Sequence, residues 1–217
     1  MSQKLVFLQS EGDAYFNRNQ QVSDVQILAT DPLLSEIVEL HNNAEGGARK
    51  ILEIGCGDGS RLAWLKNNLA YDCFGIEPSV KAVAAACSKG VNASVGTADL
   101  LPFDDNSFDF VIFGCCLYLC DREDLFRIAS EANRVLRSPG WLLILDFFSS
   151  VPRANSYHHR PGMNTYKADY RSLFSWHPYY ECLTHKVRHR SKLSYTDDQQ
   201  EWMAVSVLRK IEWKINP

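Results

Sequence analysis

The sequence predicts an α/β fold built on a doubly wound, mostly parallel sheet of seven strands that closes with a C-terminal antiparallel hairpin. Three observations carry that expectation. The stretch Ile51-Leu52-Glu53-Ile54-Gly55-Cys56-Gly57-Asp58-Gly59-Ser60-Arg61 runs from an apolar strand, broken only by Glu53, into three glycines on alternate positions and then into a segment of helical character. Apolar runs and amphipathic segments then alternate as far as Phe148, as strands joined by crossover helices do. Beyond that, Tyr180 to Ser194 and Glu201 to Trp213 alternate polar and apolar residues on either side of Thr196-Asp197-Asp198-Gln199-Gln200, which reads as a hairpin.

The elements follow in order. Residues 1–30 show little periodicity but contain the aromatic and basic cluster Tyr15-Phe16-Asn17-Arg18-Asn19. From Asp31-Pro32 to about His41, Leu33, Leu34, Ile37, Val38 and Leu40 recur at helical spacing, with Asp31 as cap and Pro32 in the first turn. After the glycine turn, Arg61 to Asn68 is the first crossover helix, and Cys73-Phe74-Gly75-Ile76 the second strand, ending at Glu77. Pro78-Ser79 opens an alanine-rich helix from Val80 to Lys89, stopped by Gly90. Ala93-Ser94-Val95 is the third strand, and Phe108 to Phe113, almost wholly apolar, the fourth. Asp121 is placed to cap a helix from Arg122 to Leu136, and Trp141 to Phe148 is the fifth strand. Ser149 to Pro178 is too long for a featureless connector and reads as a lid with a short helix around Lys167 to Phe174.

At 217 residues and 24.7 kDa the chain suits a single domain, residues 1–217. It has neither an apolar run of about 18 residues, as a membrane helix needs, nor a signal-like start, so a cytoplasmic protein without a membrane partner is expected. Seven cysteines, an odd number with no C-x-x-C pair, read as small buried hydrophobes in a reducing compartment. Cys115-Cys116 with Cys120 is a poor metal set, because neighbours on a strand end point to opposite faces and no histidine stands nearby; no metal is expected. Residues 1–150 hold 12 Lys/Arg and 20 Asp/Glu, whereas residues 151–217 hold 11 and 6 together with five of the six histidines. A solvated surface and an anionic acceptor account equally well for that basic third.

Glycine is required where φ is positive or where the backbone meets a ligand too closely for a Cβ, and the helix after such a turn aims free N–H groups above it. The dinucleotide fingerprint G-x-G-x-x-G would need glycine at position 60, where Ser60 stands. The pattern Glu53-x-Gly55-x-Gly57-x-Gly59 instead resembles motif I of the class I S-adenosylmethionine-dependent methyltransferases, whose sheet is Rossmann-like and whose glycine turn packs against the methionine and ribose of a cofactor without phosphate. Glu77 ends the second strand 22 residues after Gly55, the length of one βαβ unit, and a carboxylate there accepts from both ribose hydroxyls. The stretch from Gly96 through Leu101-Pro102-Phe103 is similar to the family's adenine-side motif, with Thr97 at the usual aspartate position. Thr97 or Asp99 then substitutes for that acid, and the Ala98 N–H donates to the ring.

The resemblance spans the chain and is specific in residues 51–147. It implies S-adenosylmethionine as cofactor, S-adenosylhomocysteine as product, and a site made of Glu53, Gly55, Cys56, Gly57, Gly59, Glu77, Pro78, Thr97, Ala98, Asp99, Gly114 and Cys115. It divides the chain into an N-terminal cofactor cover (1–45), a cofactor core (46–148), an acceptor lid (149–178) and the hairpin (179–217). In the cover, Tyr15 would lie over the cofactor and Arg18 meet its carboxylate, although Tyr15 and Phe16 fit core packing equally well. Methyl transfer needs alignment, exclusion of water and, for a hydroxyl acceptor, a base. His158 and His159 are the candidates by position, and a solvated surface position fits each of them too.

The acceptor expected is a small, anionic molecule, such as a nucleotide sugar or glycan precursor, bound by Arg153, Arg160 and Arg171. Two other readings stay open. A nicotinamide or nucleotide-sugar oxidoreductase is disfavoured by Ser60 and by the lack of a Tyr-x-x-x-Lys pair; a non-catalytic cofactor-binding protein would differ only in accepting no methyl group. Negative net charge, no RNA module and no Asn-Pro-Pro-Tyr type signature after strand four argue against a nucleic-acid partner.

Overall fold

The computed structural model describes residues 2–19, 30–43, 49–191 and 195–212. Seven strands form one sheet: β1 (Lys50–Ile54), β2 (Asp72–Glu77), β3 (Asn92–Val95), β4 (Phe108–Gly114), β5 (Leu136–Phe147), β8 (Tyr180–His189) and β9 (Trp202–Lys210). Their order is β3-β2-β1-β4-β5-β9-β8. The first five run parallel, and β9 enters antiparallel between β5 and β8. The chain therefore reverses its direction of growth beside β1, the point at which open α/β sheets leave a crevice above their carboxyl ends.

Alternation along each strand supplies both faces. Ile51, Phe110, Ile112, Leu143 and Leu145 pack with α3 (Pro32–Asn42), α4 (Ser60–Leu69) and α5 (Val80–Ser88). Leu52, Ile54, Val111, Phe113, Leu142 and Ile144 pack with α6 (Leu125–Val135) and the single turn α7 (Ser172–Ser175). Phe110 and Phe113 have no exposed surface, a burial worth about 2–3 kcal/mol for each side chain. Asp31 caps α3 as its sequence position suggested, its carboxylate accepting from the N–H groups of Leu33 and Leu34.

Three sequence expectations change. The N-terminal segment is helical, with α1 (Gln3–Val6), a π-helical turn (Phe7–Glu11) and α2 (Gly12–Asn19). Its own periodicity is weak because it is held by side chains that reach it from distant parts of the chain. Asp121 does not cap a helix of its own: a 3₁₀ turn (Arg122–Asp124) precedes α6, and the Asp121 carboxylate accepts from Ser2 Oγ and from the N–H groups of Gln3 and Lys4, capping α1. Leu136 opens β5 instead of ending α6. In residues 149–178 the extended pair β6 (Arg153–Ser156) and β7 (Asn164–Lys167) forms a second, two-stranded sheet, and helix is confined to α7. Among the described residues no helix is long and apolar enough to cross a membrane.

Candidate active site

A cavity of about 850 Å³ opens above the carboxyl ends of β1, β2 and β4, within the size range of small-ligand sites. Its floor is the glycine turn. Gly57 has φ +54°, and a Cβ there would project into open space, so the turn keeps both its left-handed conformation and its clearance only with glycine. Gly59, at φ +70°, differs: its absent Cβ would lie 2.7 Å from the Ala86 Cβ of α5, and it does not line the cavity. The structure thus gives Gly59 a task in close helix packing, whereas the sequence had grouped it with the ligand-facing glycines. Gly55 and Cys56 line the floor.

Behind the turn lies a buried ion cluster. Glu53 points to the α4 face of β1, where Arg61 Nη1 donates to its Oε1, while Arg61 Nε donates to Asp31 at 2.9 Å. Burial pushes the Glu53 carboxyl up to about 7 against the opposing pull of Arg61. Its Oε2 is buried without a hydrogen-bond partner, although Glu53 belongs to the cavity wall. Such an orphaned acceptor is costly unless a ligand donor meets it. Gly114 belongs to the same construction, because a Cβ there would sit 2.6 Å from Glu53 Oε1 and 2.7 Å from Arg61 Nη1.

Glu77 ends β2 beneath the cavity. Its carboxylate accepts from the Gly57 N–H at 3.1 Å and the Ser79 N–H at 3.0 Å, and burial raises its pKa against those bonds. Two backbone donors leave further lone pairs for a ligand. Pro78, Thr97, Ala98 and Asp99 line the adjoining wall. Asp99 is the acid of that edge. Burial would raise its pKa, but hydrogen bonds from Lys4 and Thr97 outweigh it and hold the carboxyl below its usual range. Lys4 Nζ reaches Asp99 at 2.5 Å and Asp124 at 2.8 Å.

The N-terminal segment roofs the cavity, with Tyr15, Phe16 and Asn19 of α2 facing inward. Tyr15 Oη meets Tyr118 Oη at 3.1 Å, and Tyr118 rides on a turn whose Leu117 N–H donates to buried Asp146 at 2.8 Å. Asp13 accepts from Ser79 Oγ at 2.7 Å and from the Lys81 N–H, tying the roof to the start of α5. Cys115, at φ +59°, and Cys116 complete the wall beside Gly114.

Six sequence candidates fall elsewhere. Arg18 does not line the cavity: its guanidinium donates to Glu11 at 2.5 Å and to the Tyr157 hydroxyl at 2.8 Å, which pins α2 to the β6–β7 hairpin. His158 and His159 are exposed in the turn of that hairpin, because the pair's inward residues are Tyr157 and Met163. Neither histidine lines the cavity. Nor do Arg153, Arg160 and Arg171, which donate to Ser149, Ser10 and Asp169 respectively. Sequence reasoning missed Lys4, Asp31 and Arg61 as wall residues; only Arg61, eight positions after Glu53 on the first turn of α4, left a spacing signal.

Residues 52–144 match the family model of a methyltransferase domain. The chain is 30% identical over 108 residues to an uncharacterized methyltransferase, YcgJ, of Bacillus subtilis, covering 46% of this chain and 41% of that protein. It is 32% identical over 130 residues to the probable methyltransferase PMT4 of Arabidopsis thaliana, covering 57% of this chain and 21% of that protein. The matches thus span less than half the length of either relative. Among solved structures, the fold resembles a Burkholderia thailandensis 1,6-didemethyltoxoflavin-N1-methyltransferase with bound 1,6-didemethyltoxoflavin and S-adenosylhomocysteine, at TM-score 0.70 and 15% identity, over 96% of this chain and 89% of that one.

Proposed function

We propose that this chain is a class I S-adenosylmethionine-dependent methyltransferase that transfers a methyl group from that cofactor to a small-molecule acceptor inside the roofed cavity. The observation that carries the reading is the unpartnered, buried Glu53 Oε2 in the cavity wall. It fits the α-ammonium of an amino-acid tail, a donor without which the oxygen is left unsatisfied. The remaining wall fits the other parts of the cofactor. Glu77 keeps acceptor capacity for a ribose diol, Gly57 leaves room where a Cβ would intrude, and the Thr97-Ala98-Asp99 edge offers polar groups to an adenine.

The bound sulfonium supplies an already activated methyl group. What the chain supplies is alignment and dryness. Glu53 and Glu77 fix two parts of an elongated ligand, and the roof residues Tyr15 and Phe16 shut off water. No histidine is assigned as base, since His158 and His159 lie outside the cavity. The oxidoreductase reading is disfavoured: the dinucleotide order 3-2-1-4-5-6 sets its sixth strand beside the fifth, whereas here β9 enters antiparallel between β5 and β8, and Ser60 opens α4 where the third glycine would stand.

Calorimetric titration with S-adenosylmethionine and S-adenosylhomocysteine tests the reading. Micromolar binding of both is expected. Absence of binding by either compound refutes it.

A further inference from the structure

We propose that this chain carries a second ligand site, for a phosphate-type dianion, built on Arg209 and Arg137 at the end of the sheet away from the cavity. The site goes beyond methyl transfer and does not depend on it.

Strand register brings its parts together. Arg209 of β9 stands directly across from Trp141 of β5, and Trp141 across from Phe110 of β4, so the three form a row over the sheet. Phe110 and Trp141 belong to the face that packs with α3. The Arg209 guanidinium lies 4.3 Å from the centre of the Trp141 ring, and the Arg49 guanidinium 5.8 Å from that of Phe110. Arg137, at the start of β5, bonds to Asp109 and keeps 52% of its side chain exposed. Phe110 precedes Gly114 of the cavity wall by four residues, about 13 Å along β4. None of these arginines lines the cavity.

One group in the row is unsatisfied. Arg209 is partly buried, yet among the described residues its guanidinium has neither a hydrogen bond nor an ion pair. Five N–H donors in a partly dry place without an acceptor stand out, because buried polar groups are nearly always paired. Burial, and after it the charges of Arg137 and Arg49, hold the Arg209 pKa below the usual arginine value, with no carboxylate opposing them. Stacking on Trp141 fixes the plane of the fork and leaves its edge to a ligand.

The class of ligand follows from the two forks. A carboxylate has two oxygens in one plane and satisfies one guanidinium, whereas a phosphate group turns oxygens in several directions and meets Arg209 and Arg137 together. Its second negative charge also answers the crowding of like cations. Asp109 does not fill this place, since its carboxylate is turned to Arg137 and to the Lys50 N–H.

The test titrates the full chain with inorganic phosphate, phenyl phosphate and benzoate at constant ionic strength, followed by calorimetry and tryptophan emission. Saturable binding of both phosphates is expected, at least fivefold tighter than of benzoate, with an emission change that Trp141→Phe removes. Equal affinity for the two phosphates assigns the site to the free ion, and a preference for phenyl phosphate assigns it to an esterified one; either result supports the site. Arg209→Gln should weaken binding at least tenfold and Arg209→Lys should recover only part of it, because lysine lacks the fork. Arg137→Gln, at an exposed side chain, should weaken it at least threefold. Absence of saturable phosphate binding, benzoate bound as tightly as phosphate, or binding undiminished in both glutamine variants overturns the inference. Competition between phosphate and S-adenosylhomocysteine overturns it too, by placing the anion in the cavity. Failure of S-adenosylhomocysteine to bind refutes the methyl-transfer reading alone.

Discussion

Replacing Glu77 by alanine tests the cofactor geometry most directly. The carboxylate is bonded to the N–H groups of Gly57 and Ser79 and offers its remaining lone pairs upward into the cavity. In the free protein, Glu77→Ala exposes both N–H groups to water that fills the vacated space, so the fold should lose no more than about 1–2 kcal/mol. With ligand bound, the same substitution removes a charged acceptor from two hydroxyl donors. Hydrogen bonds to charged groups are worth about 1.5–3 kcal/mol, so the dissociation constant of S-adenosylhomocysteine should rise roughly 10- to 150-fold. Calorimetry gives the constant, and a urea melt of the unliganded variant separates it from any loss of fold. A variant that melts like the parent and binds within twofold of it would show that Glu77 does not hold the ribose, and the strand-end argument would fail with it.

Three other perturbations follow from the described geometry. Gly57→Ala and Gly59→Ala should separate: both pay the left-handed φ, about 1–2 kcal/mol, but only Gly59→Ala drives a Cβ into Ala86 and lowers the melting midpoint further, whereas Gly57→Ala should mainly abolish cofactor binding in calorimetry. Asp146 has its carboxyl raised to about 7 by burial, above the ordinary carboxylate range, so the folded state holds that proton more tightly than the unfolded one. Its contribution to stability is thus full below about pH 4 and is lost as pH rises toward 7; Asp146→Asn should flatten the fall in urea-melt stability between pH 5 and 7 by up to about 1.4 kcal/mol per pH unit, and an unchanged slope would contradict the shift. Replacing His158 and His159 together by alanine should alter S-adenosylhomocysteine affinity less than twofold, since both are exposed outside the cavity; a tenfold loss would return the hairpin turn to the site.

Much of the core was legible because it is local. The strand Ile51–Ile54, the glycine turn and Glu77 lie within a single βαβ unit, where periodicity and spacing report directly on neighbours in space. Asp31 was legible as a helix cap for the same reason, but not as the partner of Arg61, 30 residues away. The roof was illegible for a related cause. Its helices have no strong apolar stripe of their own, and Lys4, Asp13 and Tyr15 find their partners at Asp99, Ser79 and Tyr118. Composition was less informative at residues 149–178. Their arginines and histidines suggested an anion site; in the structure the β6–β7 hairpin turns Tyr157 and Met163 inward, and Arg153, Arg160 and Arg171 donate to Ser149, Ser10 and Asp169.

The roof also dictates an order of assembly. Gln3 accepts the N–H of Asn164, Arg18 reaches Tyr157 and Ser2 reaches Asp121, so residues 2–19 are made well before their seats and find the furthest of them only after about 160 more residues have followed. Domains generally condense from their N-terminal end during synthesis, but here residues 2–19 must wait for the later β6–β7 hairpin. A nascent chain that has just completed β4 already contains the glycine turn and Glu77 while its cavity stands open to water. Competence for a water-excluding reaction therefore arrives late, with the docking of a segment made long before the residues that seat it.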